Sequence, residues 1–402
     1  MKCRFLLCLL GLSFLSLSLC TLVACSSRSA TSAGVGTGLL WYATQGDSSL
    51  WAYTVALGNG TLTQVGSRVS TGSFPLSIAL TPSLNTLFVD NGVSRTISAY
   101  SIASGGGLTA ASGTTKTEPT PMGMAVDPAG KFLFVANQGS FSLTQPGTIS
   151  VFSISGTTLK PVAGSPFKTE VPGDVTGSGP VAVVVSATGK FLYVANNFSG
   201  TVTGFTIGSS GALTQFPTPP YIVGTAPAGL AITPGGAFLY VANSSPVSNN
   251  VSAFAICDKV VTSCANPNRP DGTLTPVLGS PFAAGLGPVA IAADPAFNFL
   301  YVLDEQSNQI SEYTYGSGTG VLSPLSTPSI STGNKPTSFV VISGTTGSNI
   351  GNTLTNTTDY VYVTNLGDST LSVYTLNTTT GVLNQLGQAF TTTVNPVAIA
   401  AN

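Results

Sequence analysis

The sequence contains no histidine among its 402 residues, and charged residues make up only 7% of it. The commonest general base and the commonest zinc ligand in proteins are therefore missing. The formal net charge is −1, and lysine and arginine do not cluster anywhere. A nucleic-acid-binding surface has no electrostatic basis in such a chain, so we expect no nucleic-acid partner, and we also expect no cofactor and no metal.

Cysteine is scarce as well, and four of the six cysteines lie in the first 25 residues. This segment has Lys2 and Arg4, then an apolar stretch, then "LVAC" at residues 22–25, which is the layout of a secretory signal ending in a lipobox. An uncleaved membrane helix from Phe5 to Ala24 is the alternative. We predict a signal peptide over residues 1–24, lipid on Cys25 and a flexible tether over 25–38.

The predicted lipid on Cys25 would make the membrane a partner of this chain. Export as a bacterial lipoprotein would place the protein in the cell envelope, and we expect the outer membrane because Ser26 lacks the acidic character that favours inner-membrane retention. The two remaining cysteines are Cys257 and Cys264. In an oxidising compartment such a pair predicts a disulfide, with two unpaired thiols as the alternative.

The rest of the chain repeats one unit of about 46 residues. Its signature is an aromatic residue followed by Val or Ala, and the seven aromatics are Tyr42, Phe88, Phe134, Tyr193, Tyr240, Tyr301 and Tyr362. Gly (46) and Pro (26) are abundant and segments of period two recur, which together indicate short strands and turns. The repeat length fits a four-stranded propeller blade, so residues 39–402 are predicted to be an all-β, seven-bladed propeller of antiparallel blades.

The first unit lacks the strand that opens every other unit, and that strand stands alone at residues 395–402 as "NPVAIAAN". We predict that this C-terminal strand joins the N-terminal blade and closes the ring, because closure removes exposed sheet edges. In the opening strand one face carries small residues and the other carries bulky ones, as close packing at the axis requires.

The segments "GKFLYVANN", "GKFLFVANQ", "LYVANSS" and "LTPVLGSPF" resemble the bacterial seven-bladed propeller lactonase family and the related YVTN surface-layer repeats. The similarity extends over nearly all of residues 39–402. It implies the propeller fold and a lactone-hydrolysing activity such as that of 6-phosphogluconolactonase. Where histidine and arginine act in propeller lactonases, this chain has no histidine and, after residue 28, only Arg68, Arg95 and Arg269.

Candidate binding residues lie where the second strand of each unit ends and in the connections beside it. Loops on a rigid scaffold commonly carry binding sites, and two insertions, residues 138–147 and 168–179, enlarge this face in the third unit. The candidates are Arg95, Asn137, Lys168, Glu170, Asp174, Asn196, Asn243, Asp304, Lys335 and Asn365. The alternative is that the asparagines close local turns, which their recurrence favours. Asp127 and Asp294 are predicted turn residues on the opposite face.

Two functions remain open from the sequence. The first is a non-catalytic surface module, monomeric and lipid-anchored, that binds a glycan, a peptide or an envelope protein through this face. The second is a lactone hydrolase, which needs a base to activate water and donors for the developing oxyanion. Sparse charge and missing histidine favour the binding module, and we identify no catalytic residue from the sequence.

Overall fold

The computed structural model describes residues 3–6, 22–25, 37–139, 147–169, 178–260, 269–343 and 358–402. All regular elements in these ranges are β-strands. No helix in the described ranges has the length and apolar character needed to span a bilayer. Residues 3–6 and 22–25 form a two-stranded antiparallel sheet of β1 (Cys3–Leu6) and β2 (Leu22–Cys25).

The strands from residue 37 onward form seven antiparallel sheets, the blades of a propeller. Blade 1 contains β3 (Thr37–Thr44), β4 (Ser49–Ala56), β5 (Thr61–Gln64) and β6 (Val69–Ser70), and blade 2 contains β7 (Pro75–Leu80), β8 (Thr86–Asn91), β9 (Thr96–Ile102) and β10 (Leu108–Lys116). Blade 3 contains β11 (Pro121–Val126), β12 (Phe132–Asn137), β13 (Thr148–Ser155), β14 (Thr158–Pro161) and β15 (Phe167–Lys168). Blade 4 contains β16 (Pro180–Val185), β17 (Phe191–Asn196), β18 (Thr201–Ile207), β19 (Leu213–Gln215) and β20 (Tyr221–Ile222).

Blades 5 to 7 follow the same order. Blade 5 contains β21 (Pro227–Ile232), β22 (Phe238–Asn243), β23 (Asn250–Ile256), β24 (Leu274–Pro276) and β25 (Phe282–Ala283). Blade 6 contains β26 (Pro288–Ala293), β27 (Phe299–Asp304), β28 (Gln309–Tyr315) and β29 (Leu322–Ser331). Blade 7 contains β30 (Pro336–Ile342), β31 (Asp359–Asn365), β32 (Thr370–Leu376), β33 (Leu383–Gln385) and β34 (Phe390–Thr391). The last strand, β35 (Pro396–Ala401), is the innermost strand of blade 1.

Each blade runs from an innermost strand at the axis through a second and a third strand to an outer strand. Innermost strands are wholly buried, whereas outer strands such as β10 and β29 are mostly exposed. In five blades the outer strand is split into two pieces that both pair with the third strand, and only blades 2 and 6 keep it in one piece. The low charge of the chain fits this arrangement, because Ser and Thr of the outer strands cover much of the rim.

The ring is closed by the C-terminal strand, as the sequence predicted. β35 pairs antiparallel with β3, so that Leu40 lies opposite Ala401 and Ala43 opposite Ala398. The N–H of Asn402 donates to the Leu39 carbonyl at 3.1 Å, which extends the ladder by one residue. A separate apolar cluster that includes Tyr42, Val340 and Ile399 seals the junction between blades 7 and 1.

The repeated aromatic residues join neighbouring blades. Four tyrosine hydroxyls each donate to the carbonyl of a glycine in the next blade's turn between third and outer strands: Tyr193 to Gly272 at 2.7 Å, Tyr240 to Gly320 at 2.8 Å, Tyr301 to Gly381 at 2.6 Å and Tyr362 to Gly60 at 2.7 Å. These tyrosines are almost fully buried. The last bond runs from blade 7 to blade 1, so it reinforces ring closure.

Candidate functional site

One mouth of the central channel is surrounded by the residue that precedes each innermost-strand proline, here called the pre-proline residue. All seven have the left-handed backbone conformation, with φ between 51° and 68°. In order from blade 1 to blade 7 they are Asn395, Phe74, Thr120, Gly179, Ala226, Gly287 and Lys335. Glycine is the residue that adopts this conformation without strain, yet only two of the seven are glycine.

The second component of this mouth is the residue that directly follows each second strand, here called the successor residue. Its N–H donates to the carbonyl of the pre-proline residue in the same blade at 2.7–3.0 Å in all seven blades. From blade 1 to blade 7 the successor residues are Gln45, Gly92, Gln138, Asn197, Ser244, Glu305 and Leu366. Two of their amides reach the next blade, since Gln45 Nε2 donates to the Pro75 carbonyl at 3.4 Å and Asn197 Nδ2 to the Pro227 carbonyl at 3.2 Å.

A carboxylate and an ammonium group meet at this mouth. Glu305 Oε1 of blade 6 lies 3.8 Å from Lys335 Nζ of blade 7, and the side chains are 7% and 32% exposed. The Lys335 backbone is fixed as well, because its N–H donates to Asn308 Oδ1 at 2.7 Å. Glu305 is held by its N–H bond to the Gly287 carbonyl at 2.8 Å. Hydrogen bonds therefore fix the backbone of both residues of the pair, and the Lys335 side chain is partly accessible to solvent.

The predicted asparagines lie one residue before the successors and point into the blade. Asn137, Asn196, Asn243 and Asn365 are at most 1% exposed. Their amide groups donate to hydroxyls on the third strand, namely Ser150, Thr203, Ser252 and Ser372, at 2.8–3.0 Å. These bonds tie the two strands together across their connection, which supports the turn interpretation favoured by recurrence.

Asp304 occupies the asparagine position of blade 6. It accepts a hydrogen bond from Ser311 Oγ at 2.6 Å, and burial raises its carboxyl pKa to about 7. Successive residues of a strand point to opposite faces, so Asp304 faces the blade interior while Glu305 contributes to the mouth. Asp304 is one of the candidates predicted from the sequence, and its neighbour Glu305 is not. Side chains of a strand alternate between its two faces, and continuing this alternation one residue past Asp304 is the signal that could have identified Glu305.

The predicted cations are spread over three blades. Arg95 is exposed in the turn before the third strand of blade 2, and Lys168 is exposed at the end of β15 in blade 3. Lys335 alone belongs to the set of pre-proline residues. Glu170 and Asp174 lie outside the described residues. The structure therefore places these three cations at separate positions, and the ion pair at the mouth is formed with an acid that was not among the candidates.

Two other predictions concern residues away from this mouth. Asp127 and Asp294 accept hydrogen bonds from backbone N–H groups of their own turns, at 2.6–3.2 Å, which confirms their turn role. Cys257 is buried, and Cys264 lies outside the described residues, so the disulfide stays a prediction. Within the described ranges no group of three or more acidic or cysteine side chains is arranged to hold a metal ion.

Comparison with known proteins places the fold in a class, the seven-bladed propellers related to lactonases. The family model "Lactonase, 7-bladed beta-propeller" matches residues 145–264 and 257–402. The chain belongs to this family. No curated protein matches the sequence.

Solved structures agree on the fold. The periplasmic gluconolactonase of Pseudomonas aeruginosa is 20% identical, with a TM-score of 0.69 over 91% of this chain and 99% of that one. A Bacteroides uniformis protein provisionally named a 6-phosphogluconolactonase is 19% identical, with a TM-score of 0.71 over 91% and 99%. A Lactobacillus plantarum protein is 19% identical, with a TM-score of 0.68 over 91% and 100%. At these identities the likeness establishes the architecture alone.

Proposed function

We propose that this protein hydrolyses a lactone at the channel mouth formed by the pre-proline and successor residues. The observation that carries the proposal is the Glu305–Lys335 pair at that mouth, in a chain of the propeller lactonase family. Family membership favours this function over a non-catalytic surface module. The lipid anchor on Cys25, the envelope location and the monomeric state remain predictions beside it.

The chemistry needs a proton acceptor for water and a donor for the oxygen that gains charge. In the proposed reaction Glu305 takes a proton from water as the water oxygen bonds to the lactone carbonyl carbon. The Lys335 ammonium stabilises the resulting oxyanion. The ring C–O bond then breaks, and the proton held by Glu305 passes to the leaving alkoxide, which gives the open hydroxy acid. No histidine is required for these steps.

The separation of the pair suits this role. A distance of 3.8 Å between Lys335 Nζ and Glu305 Oε1 is longer than a direct hydrogen bond. This distance leaves room for a water molecule that donates a hydrogen bond to the Glu305 carboxylate and accepts one from the Lys335 ammonium. Glu305 is almost completely shielded while Lys335 is partly exposed, and exclusion of bulk water from the base strengthens its interactions with a bound substrate.

The test is a lactone panel assayed on the fragment that begins at Thr37, where β3 starts. The panel comprises 1,4- and 1,5-aldonolactones, a phosphorylated aldonolactone and alkyl lactones. We expect turnover of at least one member, and Glu305→Gln and Lys335→Met should each lower kcat by ~10²–10³-fold.

The matched control is Lys190→Met. Lys190 lies 3.8 Å from Asp271, the same separation, but in the connection between β16 and β17 at the other end of the channel. This variant should retain parent activity. Absence of turnover across the panel would contradict the proposal, and so would turnover that survives both mouth substitutions.

A further inference from the structure

The pre-proline residues divide the channel mouth into two unlike halves. Four consecutive blades, 7, 1, 2 and 3, carry Lys335, Asn395, Phe74 and Thr120, all partly buried. The other three blades carry Gly179, Ala226 and Gly287, whose side chains are a methyl group or nothing. Among the pre-proline residues, four neighbouring blades therefore present long or polar side chains from strained positions, and the other three present a methyl group or no side chain.

The hydrogen bond to the successor residue does not require a non-glycine residue at the strained positions of the first half. The bond from the successor N–H uses only the pre-proline carbonyl, and Gly179 and Gly287 make it as well as the four larger residues do, at 2.7 and 2.8 Å. A non-glycine residue in this conformation costs about 1–2 kcal/mol, and a following proline restricts it further. Strain that the fold does not need marks a candidate functional position.

Phe74 is the most unusual member, because a bulky aromatic residue with φ of 62° is a true outlier. Its blade is also the one in which the successor residue is a glycine, Gly92. Phe74 is partly buried and packs against the apolar core, and blade 2 has no successor side chain that could cover the exposed part of its ring. In blade 1 beside it stand the two amide side chains Asn395 and Gln45, and beyond them in blade 7 stands Lys335.

We propose that Lys335, Asn395, Phe74 and Thr120 form one substrate-binding arc, in which the ring of a polyhydroxylated lactone lies on Phe74. Asn395 and Thr120 bind its hydroxyls on either side. Amide and hydroxyl groups both donate and accept hydrogen bonds, as a polyol requires. An aromatic wall with a few convergent polar groups is the usual composition of a small-molecule site. This inference rests on the proposed function, since it positions the carbonyl toward Lys335 and Glu305.

Three variants test the role of Phe74 in the fragment from Thr37. Phe74→Leu keeps apolar bulk and the strained backbone but removes the aromatic face, so KM for the best aldonolactone should rise about tenfold with kcat changed little. Phe74→Tyr keeps the face and should retain the parent KM. Ser48→Gly relieves the same left-handed backbone conformation, φ of 49°, in the turn between β3 and β4. Ser48 is neither a pre-proline nor a successor residue, so this variant should leave KM unchanged while keeping or raising the melting temperature.

Binding is measured separately with an aldono-1,5-lactam, which has the ring and hydroxyls of the lactone but resists hydrolysis. The lactam should raise the melting temperature of the parent, Phe74→Tyr and Ser48→Gly proteins, and the shift should be lost in Phe74→Leu. Lactam binding without lactone turnover would contradict the proposed function but would still support the binding arc. Turnover with an unchanged KM in Phe74→Leu, or no lactam binding by the parent, would overturn the arc.

Discussion

Asp90 is a buried carboxyl group at a position where the other blades carry no acid. The matching residues are Ala43, Ala136, Ala195, Ala242, Leu303 and Thr364. The register of the innermost strand shifts by one residue in blade 2 as in the other blades, but in blade 2 both residues between Pro75 and Ile78 lack a ladder partner, whereas the other blades leave one residue unpaired. Asp90 Oδ1 accepts from the freed N–H groups of Leu76 at 3.2 Å and Ser77 at 2.6 Å.

Burial raises the Asp90 carboxyl pKa from 3.8 to about 7, and the hydrogen bonds from Ser77 and Leu76 only partly oppose the rise. The folded protein therefore holds a proton between pH 4 and 7 that the unfolded chain has released. The stability contribution is full below the unfolded pKa and is lost as pH rises through the folded pKa. Burial raises the carboxyl pKa of Asp304 and Glu312 to about 7 as well.

We therefore expect the protein to be more stable at pH 4.5 than at pH 8.5, with Asp90 accounting for about 3 kcal/mol of the difference. Asp90→Asn should reduce the pH dependence of the free energy of unfolding by that amount, measured by urea titration at both pH values. Glu118→Gln, at an exposed carboxyl group, should behave like the parent. An equal pH dependence in Asp90→Asn and the parent would refute this account.

The sequence revealed which strands end at the mouth but not which side chains face it. The asparagines were prominent because they recur, and they recur because each bonds the third strand of its own blade. Gln45, Glu305 and Leu366 occupy the same position in their blades but differ in chemical character, so no sequence pattern identifies them. The left-handed pre-proline residues were equally hidden, since Phe and Lys are residues that local propensity would not assign to such a conformation.

At the scale of strands, the sequence repeat predicted all seven innermost strands. Six of them open their own units, and the seventh lies at the end of the chain. The repeat did not predict that the outer strand breaks in five blades. In blade 5, for example, the segment "LTPVLGSPF" contains two separate outer-strand pieces, Leu274–Pro276 and Phe282–Ala283. Outer strands have a free edge, and their course depends on local turns rather than on burial, so hydrophobic periodicity carries little information about them.

The turn between third and outer strands is where each blade meets the one before it. Gly381 in blade 7 has φ of +77°, and a Cβ placed on it would lie 2.4 Å from the Phe299 ring of blade 6. Its carbonyl accepts the Tyr301 hydroxyl bond. The glycine is thus required twice, once by its backbone conformation and once by close approach of the neighbouring blade.

These two requirements can be separated experimentally. Gly381→Ala and Gly113→Ala both force alanine into the left-handed region, at a cost of about 1–2 kcal/mol. Gly113 has φ of +84° and no heavy atom within 4 Å of the added Cβ, so it isolates the backbone term. We expect Gly381→Ala to lose a further ~1–3 kcal/mol through the clash with Phe299.

A double-mutant cycle with Phe299→Ala identifies the source of that difference. Removing the ring should recover part of the extra cost in Gly381→Ala, which gives a coupling energy of about 1 kcal/mol or more from chemical denaturation. Equal destabilisation by Gly381→Ala and Gly113→Ala would show that the blade contact contributes nothing. The cycle would then return no coupling.

At the scale of the whole molecule, seven blades form one ring only if the first and last are joined. Three kinds of contact join them: the β3–β35 ladder, the hydrogen bond from Tyr362 to Gly60, and the apolar cluster around Tyr42 and Ile399. The Ser338 hydroxyl of blade 7 also accepts the Ile399 N–H at 3.1 Å. A propeller without this joint would expose the edge of β3 and the face of blade 7, which favours aggregation.

Deletion of residues 395–402 tests how much of the fold depends on the joint. Val397 and Ile399 are completely buried, and their burial contributes roughly 3–6 kcal/mol at about 1.5–3 kcal/mol each. The total stability of a domain is only about 5–15 kcal/mol, so the truncated chain should unfold or aggregate. The matched control removes residues 26–36, which precede the first propeller strand at Thr37, and should leave the melting temperature within a degree or two of the parent. If both truncations melt alike, the C-terminal strand does not close the ring in solution, and the blade register drawn from it is wrong.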